Sequence, residues 1–478
     1  MATTAGAKKG LWSTIRRIAA SDRISGLIML GFALTGLVLA NLPATAHTFE
    51  TVAETHLFIP YTNLDLPIGH WAQDGLLTIF FLTVGLELKQ ELTTGSLANP
   101  KAAAVPMLCA VGGMIAPPIL FLAVTALFSQ IGPGEPGTLI LTTTGSSIPF
   151  SEMSHGWAVP TATDIAFSLA VLALFAKALP GSIRAFLMTL ATVDDLLAII
   201  LIAVFFSSIN AWYWFIGIAV CAAIWAYLVR LKKVPWIAVG IVGILAWIMM
   251  FEAGVHPTLA GVLVGLLTPS REMHGELSPR AERYANKLQP FSALLALPIF
   301  ALFATGVHFE SMSPLLLVSP LVIALIVALV VGKPLGIITT AWLATHVGGL
   351  KMAKGLRVRD MIPAAVACGI GFTVSFLIAS LAYKNAELSA EARFGVLVAS
   401  LIAAAISGVL LSRQSKRFEK AAAAQAAAAE ALADAEAGES IDGNGTGQPS
   451  RTTKPTTPTE HPGILADGTA SVEIDFRH

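Results

Sequence analysis

Two neighbouring apolar segments decide the fold, and they read VPTATDIAF (159–167) and LATVDDLLA (190–198). Each contains acidic residues inside an otherwise apolar run, Asp164 in the first and the adjacent Asp194 and Asp195 in the second. A charged side chain at the centre of a lipid bilayer costs about 2.5–3.5 kcal/mol on insertion scales. Three carboxylates in two neighbouring membrane spans therefore indicate a functional site.

The rest of the chain is similarly apolar. Of its 478 residues, 55% are hydrophobic and 13% are charged, whereas soluble domains carry roughly 25% charged residues. This composition predicts an all-α polytopic membrane protein, with the lipid bilayer as its main partner. The formal net charge of zero gives no sign of a nucleic-acid partner. Cys109, Cys221 and Cys368 lie in apolar segments without metal-ligand or disulfide spacing, so they are expected to pack as small residues.

A yardstick of roughly 20 apolar residues per span predicts about twelve transmembrane helices. They lie near 24–42, 72–90, 102–127, 157–178, 183–208, 211–229, 234–251, 256–268, 290–306, 315–344, 361–383 and 393–412. The sequence thus divides into a basic amphipathic arm (1–23), a transmembrane domain (24–412) and a polar tail (413–478). The tail is expected to be largely disordered, with an Ala/Glu-rich start that favours a helix.

Lysine and arginine are concentrated at one end of the spans, and this asymmetry places both termini in the cytoplasm. On the outer side, the loop 43–70 contains HLFIPYTNLDL (56–66), which predicts a small β-hairpin around an Asn/Asp turn. A second outer loop, 128–156, is rich in Gly, Thr, Ser and Pro and is predicted to be irregular.

Spans 3–5 and 10–12 form two triplets of opposite orientation, which predicts inverted repeats. The middle span of each triplet is interrupted, by PTATD (160–164) in span four and by GIGFT (369–373) in span eleven. Gly369, Gly371 and Thr373 mark the second interruption. Paired interrupted helices indicate a binding site at the bilayer midplane in secondary transporters, so we expect the two broken helices to cross there.

Residue counting places Asp164, Asp194, Asp195 and Lys333 at a similar depth in their spans. Consecutive residues on a helix point about 100° apart, so one aspartate of the adjacent pair can contact Lys333 while the other faces water. Thr163 adds a hydroxyl oxygen beside the first aspartate. Hard oxygen ligands of this kind suit a group-1 cation better than a soft metal.

Two close carboxylates in a low dielectric resist ionising together. Protons and a small cation then compete for the same oxygens, which is sufficient for exchange transport when the site opens alternately to each side. The structural alternative is a buried ion-pair cluster that only fixes helix packing. For Lys333, a counter-ion role and a proton-carrying role both stay open.

Six motifs in and around this centre resemble the NhaA family of bacterial sodium/proton antiporters, over about residues 20–412. They are FFLTVGLELK (80–89), ATDIAF (162–167), DDL (194–196), GVHPTLAG (254–261), GKPLG (332–336) and CGIGFTVS (368–375). The resemblance implies electrogenic exchange of cytoplasmic sodium or lithium for external protons, driven by the proton gradient and activated at alkaline pH. It also implies a multi-pass protein of the bacterial plasma (inner) membrane that needs no cofactor besides the transported ions.

Carried over onto this sequence, the resemblance assigns sodium binding to Asp195, with Asp164 as a second carboxylate, and pairing with the lysine to Asp194. It implies a pH response at Glu87 and Glu91, near the cytoplasmic end of span two, and at His256. Without the resemblance, the two glutamates would be read as an ordinary solvated helix end, and the histidine as a residue at a helix start. The resemblance also implies a homodimer formed through the outer hairpin, 45–70.

Two other classes of membrane protein use polar residues at the bilayer centre. An intramembrane aspartyl protease carries a Gly-x-Gly-Asp motif, but Asp164 follows TAT (161–163) and Asp194 follows ATV (191–193). A sodium-coupled solute symporter of similar architecture would need additional polar residues for an organic solute. The predicted centre has little beyond acids, threonine and lysine, which favours a transporter of small ions and not an enzyme.

Overall fold

The computed structural model describes most of the chain. The described residues are 16–19, 21–58, 64–132, 135–141, 145–176, 180–306, 314–350, 352 and 357–442. Most of the predicted amphipathic arm, the turn of the predicted outer hairpin and residues 443–478 of the predicted tail lie outside them.

The described chain is mostly helical, because long apolar segments satisfy their own backbone hydrogen bonds as helices. The α-helices are α1 Asp22–Asn41, α2 Ala46–Glu54, α3 Ile68–His70, α4 Leu77–Thr93, α5 Pro100–Ile131, α6 Phe150–Ser154, α7 Ile165–Phe175, α8 Gly181–Phe205, α9 Tyr213–Leu228, α10 Trp236–Glu252, α11 Leu259–Leu267, α12 Arg280–Phe291, α13 Leu297–Ala304, α14 Pro320–Ile326, α15 Lys333–His346, α16 Ile362–Ala367, α17 Phe372–Ala382 and α18 Ala386–Asp442. Short 3-10 segments are Ser96–Ala98, His155–Thr161, Pro314–Val318 and Val358–Met361, and π-helical segments are Trp71–Leu76, Ser292–Ala296 and Val327–Gly332.

Length and apolar composition identify six membrane-span candidates among the described residues. They are Arg23–Asn41, Ala103–Ile131, Gly181–Phe205, Arg280–Ala304, Pro320–His346 and Ala386–Ala431. Two bent helix pairs raise the number to eight when each pair is counted as one span. Helices α9 and α10 are apolar but shorter. The predicted number of twelve therefore stays a prediction.

Both bent pairs lie where the sequence predicts interrupted spans. The first joins Phe150–Thr161 to α7 with a bend of 50°, and the second joins Val358–Ala367 to α17 with a bend of 58°. Pro160 lies at the end of the first half, and because its nitrogen has no hydrogen it cannot donate to the preceding turn. The chain is extended at Ala162 and Asp164 before α7 begins.

Four short strands form two antiparallel pairs on the loops. Strands β1 (His56–Phe58) and β2 (Asp65–Pro67) lie in the loop for which a hairpin is predicted, and Leu57 faces Leu66 in their register. Strands β3 (Thr138–Ile140) and β4 (Ser147–Pro149) lie in the loop that is predicted to be irregular. That prediction is wrong for these residues. The paired strands bury Leu139 and Ile148, but the sequence does not reveal them because a run of three residues is too short to show a strand periodicity.

Close packing of α5 against α15 fixes the position of Lys333. A β-carbon added to Gly336 would lie 2.2 Å from the carbonyl oxygen of Gly112, so the two backbones touch where neither residue has a side chain. The π-helical segment Val327–Gly332 ends immediately before the lysine. Such local widening of a helix is common at functional sites, and here it precedes a lysine whose side chain is fully buried.

Helix α18 is far longer than a membrane span. Its 57 residues rise over roughly 85 Å at 1.5 Å per residue, whereas the hydrocarbon core of a bilayer is about 30 Å thick. The helix therefore continues through the Ala/Glu-rich start of the predicted tail to Asp442. This part of the tail is helical, and the helix continues to Asp442, five residues into the segment 438–478 for which disorder is predicted.

Candidate functional site

The two broken helices touch at their interruptions. The backbone N–H of Asp164 donates to the carbonyl oxygen of Ile370 at 2.7 Å, and the hydroxyl of Thr163 donates to that of Cys368 at 3.0 Å. Gly369 lets the second interruption pack closely against the π-helical segment Val327–Gly332, since an added β-carbon would lie 2.5 Å from the carbonyl oxygen of Leu329. The interruptions thus satisfy each other's backbone groups, as irregular structure inside a membrane requires.

Asp164 caps two helices at once. Its Oδ1 accepts the backbone N–H of Phe167 at 2.9 Å, at the start of α7. Its Oδ2 accepts the backbone N–H of Thr373 at 3.2 Å and the hydroxyl of the same residue at 2.7 Å, at the start of α17. The positive ends of two helix dipoles therefore meet at one carboxylate. Because a carboxylate offers about four acceptor positions, these three bonds leave it little capacity for a further ligand.

Asp194 and Lys333 form a buried ion pair. The ammonium Nζ lies 2.7 Å from Oδ2 of Asp194 and also donates to the carbonyl oxygen of Thr161 in the first interruption. The side chains of both residues are almost completely buried. The lysine therefore connects α15 to α8 and to the first broken helix. Oδ1 of the aspartate has no hydrogen-bond partner among the described residues.

Asp195 differs from its neighbour in its contacts. Its side chain forms no hydrogen bond or ion pair with any part of the chain that the structure describes, and the residue keeps 7% exposure. It lies within electrostatic range of Asp194, Asp164, Lys333 and Glu87. A carboxylate held among other acids without a donor of its own is poised to bind a proton or a small cation.

A resident metal ion is not suggested by these residues. Within the described ranges, no group of three or more His, Cys, Asp or Glu side chains has the geometry to hold a metal ion. Thr163, Gly369, Gly371 and Thr373 all lie in or beside the interruptions, so hydroxyl and carbonyl oxygens surround the carboxylates. The arrangement suits transient coordination of a hard cation by a few carboxylates and neutral oxygens.

Glu91 connects through Ser96 to α8, the helix that carries Asp194 and Asp195. Its Oε2 accepts the backbone N–H and the hydroxyl of Ser96, both at 2.8 Å. The hydroxyl of Thr189 on α8 donates in turn to Oγ of Ser96 at 2.9 Å. Glu87, one turn before Glu91 on α4, is exposed.

His256 lies in a separate buried cluster. Its Nδ1 is 2.6 Å from the hydroxyl of Thr258, and its Nε2 is 3.5 Å from Oδ1 of Asp74. Asp74 is not among the site residues predicted from the sequence, because it lies near the start of a predicted span, where charged residues are ordinary. The structure therefore places the histidine beside an acid on another helix, among contacts different from those of Asp195.

A fourth buried carboxylate, Glu391, is also absent from the predicted site. It is fully buried on α18, and the hydroxyl of Ser319 donates to its Oε1, while Oε2 has no partner in the described part of the chain. Glu391 lies two residues before the predicted twelfth span, which begins at 393. The sequence therefore does not mark it as an acid inside a membrane span.

Comparisons with known proteins agree on one family. The sequence model of the family described as Na+/H+ antiporter 1 matches residues 16–411. The chain is 96% identical over 478 residues to the Na(+)/H(+) antiporter NhaA of Bifidobacterium longum strain NCC 2705, covering the whole of both chains. It is 86% identical over 477 residues to the protein of the same name from Bifidobacterium breve, again over the whole of both chains. A more distant relative, Na(+)/H(+) antiporter NhaA 1 of Kineococcus radiotolerans, is 37% identical over 453 residues, which cover 92% of this chain and 96% of the relative.

Proposed function

Because this chain belongs to the Na+/H+ antiporter 1 family and exchanges sodium ions for protons across a bacterial membrane, we propose that the exchange takes place where the two broken helices cross. Asp195 binds the sodium ion or the proton in turn. Asp164 contributes its remaining acceptor position, and Thr163 contributes a hydroxyl oxygen. The contact pattern of Asp195 carries this proposal, since both other carboxylates at the crossing already accept hydrogen bonds from the protein.

The cycle follows from competition for the same oxygens. When Asp195 is deprotonated, its charge adds to those of the neighbouring acids and attracts a sodium or lithium ion from the cytoplasm. After the site opens to the other side, protons displace the cation and neutralise the carboxylate. The Asp194–Lys333 ion pair keeps a second acid close to Asp195. Each charge of the pair offsets part of the desolvation free energy of burying the other. No cofactor takes part in this cycle.

The proposed architecture has about twelve transmembrane helices. The two bent pairs serve as the middle spans of inverted repeats formed by spans 3–5 and 10–12. The bulk of Lys and Arg lies at one end of the spans, which supports two cytoplasmic termini in the bacterial plasma (inner) membrane. The proposed exchange is electrogenic because more than one proton enters for each sodium ion that leaves, so each cycle moves net charge across the membrane.

Exchange should be specific for small alkali cations. We expect sodium and lithium to collapse a preformed proton gradient in proteoliposomes, because an acidic all-oxygen site binds small hard ions. Choline, which is a large organic cation, should have no effect. The measurement is the recovery of a pH-sensitive dye after each salt is added at constant ionic strength, with protein-free liposomes as the control. A response to choline equal to that to sodium would contradict the proposed site.

Glu91 is proposed to take part in activation at alkaline pH, together with Glu87 and His256. A charged carboxylate strengthens both of its hydrogen bonds to Ser96, and Ser96 in turn holds Thr189 on the helix of the paired aspartates. We expect Glu91→Gln to move the pH at half-maximal exchange while the maximal rate is largely retained. The matched control is Glu272→Gln, which removes an exposed carboxylate elsewhere on the proposed cytoplasmic side. Identical pH profiles for Glu91→Gln and the control would contradict this role.

A homodimer is proposed to form through the outer loop, 45–70. Leu57 and Phe58 on β1 are 49% and 64% exposed, and a two-stranded sheet leaves unpaired backbone groups at its edges that a second copy can pair. We expect Leu57→Ser/Phe58→Ser to weaken dimers of the purified protein and to spare exchange, because both side chains are exposed on a short strand of the outer loop and belong to neither interruption. Size-exclusion chromatography with light scattering measures the dimer fraction. Unchanged dimers would show that the copies meet elsewhere.

A further inference from the structure

A cavity of about 460 Å³ lies between the first half of the second broken helix and α18. It is lined by Arg357, Arg359, Asp360, Ile362, Arg417 and Phe418, with Gln414 and Ala421 completing the wall. None of these residues belongs to the crossing. The cavity is therefore separate from the exchange site.

Direct contacts hold the two walls of the cavity together. Nε2 of Gln414 donates to the backbone carbonyl of Asp360 at 2.7 Å, and two turns earlier on α18 the hydroxyl of Ser407 donates to the carbonyl of Pro363 at 2.9 Å. The segment Val358–Met361 leads directly into α16. The cavity is thus built at the point where a broken membrane helix begins and where α18 passes beyond the length of a span.

The lining carries an excess of positive charge. Three arginines against one aspartate give a formal charge of +2. In the described part of the chain, neither Arg359 nor Arg417 forms an ion pair, and both are exposed. The surface stays basic along α18 within one turn of Arg417, where three exposed cations, Arg413, Lys416 and Lys420, outnumber one exposed acid, Glu419. Guanidinium groups match the geometry of phosphate oxygens and bind them through paired hydrogen bonds.

The other side of the cavity is apolar. Ile362 is 41% exposed although it begins a membrane helix, and Phe418 is only half-buried beside it. A freely soluble anion would gain nothing from these two side chains, whereas a molecule with a charged head and an apolar body contacts both surfaces. The negative cytoplasmic leaflet attracts basic segments next to a membrane span.

We propose that this cavity binds the phosphate headgroup of an anionic phospholipid. Arg359 and Arg417 contact the phosphate, and the part of the lipid next to its headgroup lies against Ile362 and Phe418. The bound lipid links α18 to the first half of the second broken helix. Its assignment to the inner leaflet rests on the cytoplasmic orientation of the termini that is part of the proposed function.

Lipid titration of the full-length purified protein in a neutral detergent tests this site. Native mass spectrometry would count bound molecules of phosphatidylglycerol and of phosphatidylcholine with the same acyl chains. We expect Arg359→Gln/Arg417→Gln to weaken binding of phosphatidylglycerol by roughly tenfold or more, given the contribution of each basic residue near anionic lipid. Lys101→Gln/Arg271→Gln removes the same charge from exposed positions outside the cavity and should bind like the unaltered protein.

Three results would overturn the proposal. Equal binding by the two double variants would exclude the cavity, and equal binding of the two lipids would exclude recognition of the phosphate charge. Displacement of phosphatidylglycerol by millimolar inorganic phosphate would identify a site for a soluble anion. Because these measurements need no ion gradient, a failure of sodium-driven exchange would contradict the proposed function without affecting them. Labelling of Arg417→Cys from one side of sealed vesicles reports the orientation separately.

Discussion

Asp195→Asn is expected to abolish sodium-driven exchange completely. The substitution keeps the size of the side chain but removes its charge and its ability to release a proton, and no other acid at the crossing offers two oxygens without protein donors. Exchange in proteoliposomes should fall to the rate of protein-free liposomes. Addition of sodium to the purified variant should release no protons, and isothermal titration calorimetry should detect no sodium binding.

A matched control separates this effect from the loss of any buried acid. Glu391→Gln also neutralises a buried carboxylate inside the helical bundle, but it retains an oxygen that can accept the hydroxyl of Ser319. We expect this variant to bind sodium and to exchange it for protons. If Asp195→Asn still releases protons on sodium addition, or if both variants lose exchange equally, the cation does not bind at Asp195.

Much of the candidate site can be predicted from the sequence, because charge inside an apolar segment is costly and therefore conspicuous. The two interruptions are equally visible, since Pro160 and the glycines at 369 and 371 lie inside long apolar runs. The structure brings these elements together: Thr163 and Asp164 bond directly to the second interruption.

The partners of the side chains cannot be predicted in the same way. The angle between consecutive helical residues shows that Asp194 and Asp195 face different directions, but it does not show which of them meets Lys333. That choice depends on the packing of α15 against α5 and on the carbonyl of Thr161, which binds the same ammonium group. The double capping by Asp164 likewise depends on how two distant helices cross.

Asp74 and Glu391 show a second limit. Both lie near span ends, where charged residues are ordinary in sequence, and only tertiary packing buries them, against His256 in one case and Ser319 in the other. The π-helical segment before Lys333 is also hidden in the sequence, because one turn of altered geometry does not disturb the apolar pattern of a long helix.

The Asp194–Lys333 pair should show strong energetic coupling. Asp194→Asn leaves a buried ammonium group without its counter-charge, and breaking a buried ion pair in this way costs roughly 3–5 kcal/mol. We therefore expect this variant to lose thermal stability as well as exchange, whereas Asp195→Asn, which breaks no ion pair, should keep a melting temperature close to that of the unaltered protein.

Replacement of the lysine should reverse part of that loss. Lys333→Gln in the Asp194→Asn background removes the uncompensated charge and retains a donor for the carbonyl of Thr161, so the double variant should melt at a higher temperature than Asp194→Asn alone. Melting temperatures of the four proteins in the cycle measure the coupling, which is the difference between the double effect and the sum of the single effects. If Lys333→Gln lowers the melting temperature of Asp194→Asn further, the lysine must be stabilised mainly by another acid, and Asp164 or Asp195 would be its partner. With Asp194 as its partner, the lysine acts on exchange indirectly, because it allows two adjacent carboxylates to lie in the bilayer while only Asp195 is left open to the cation.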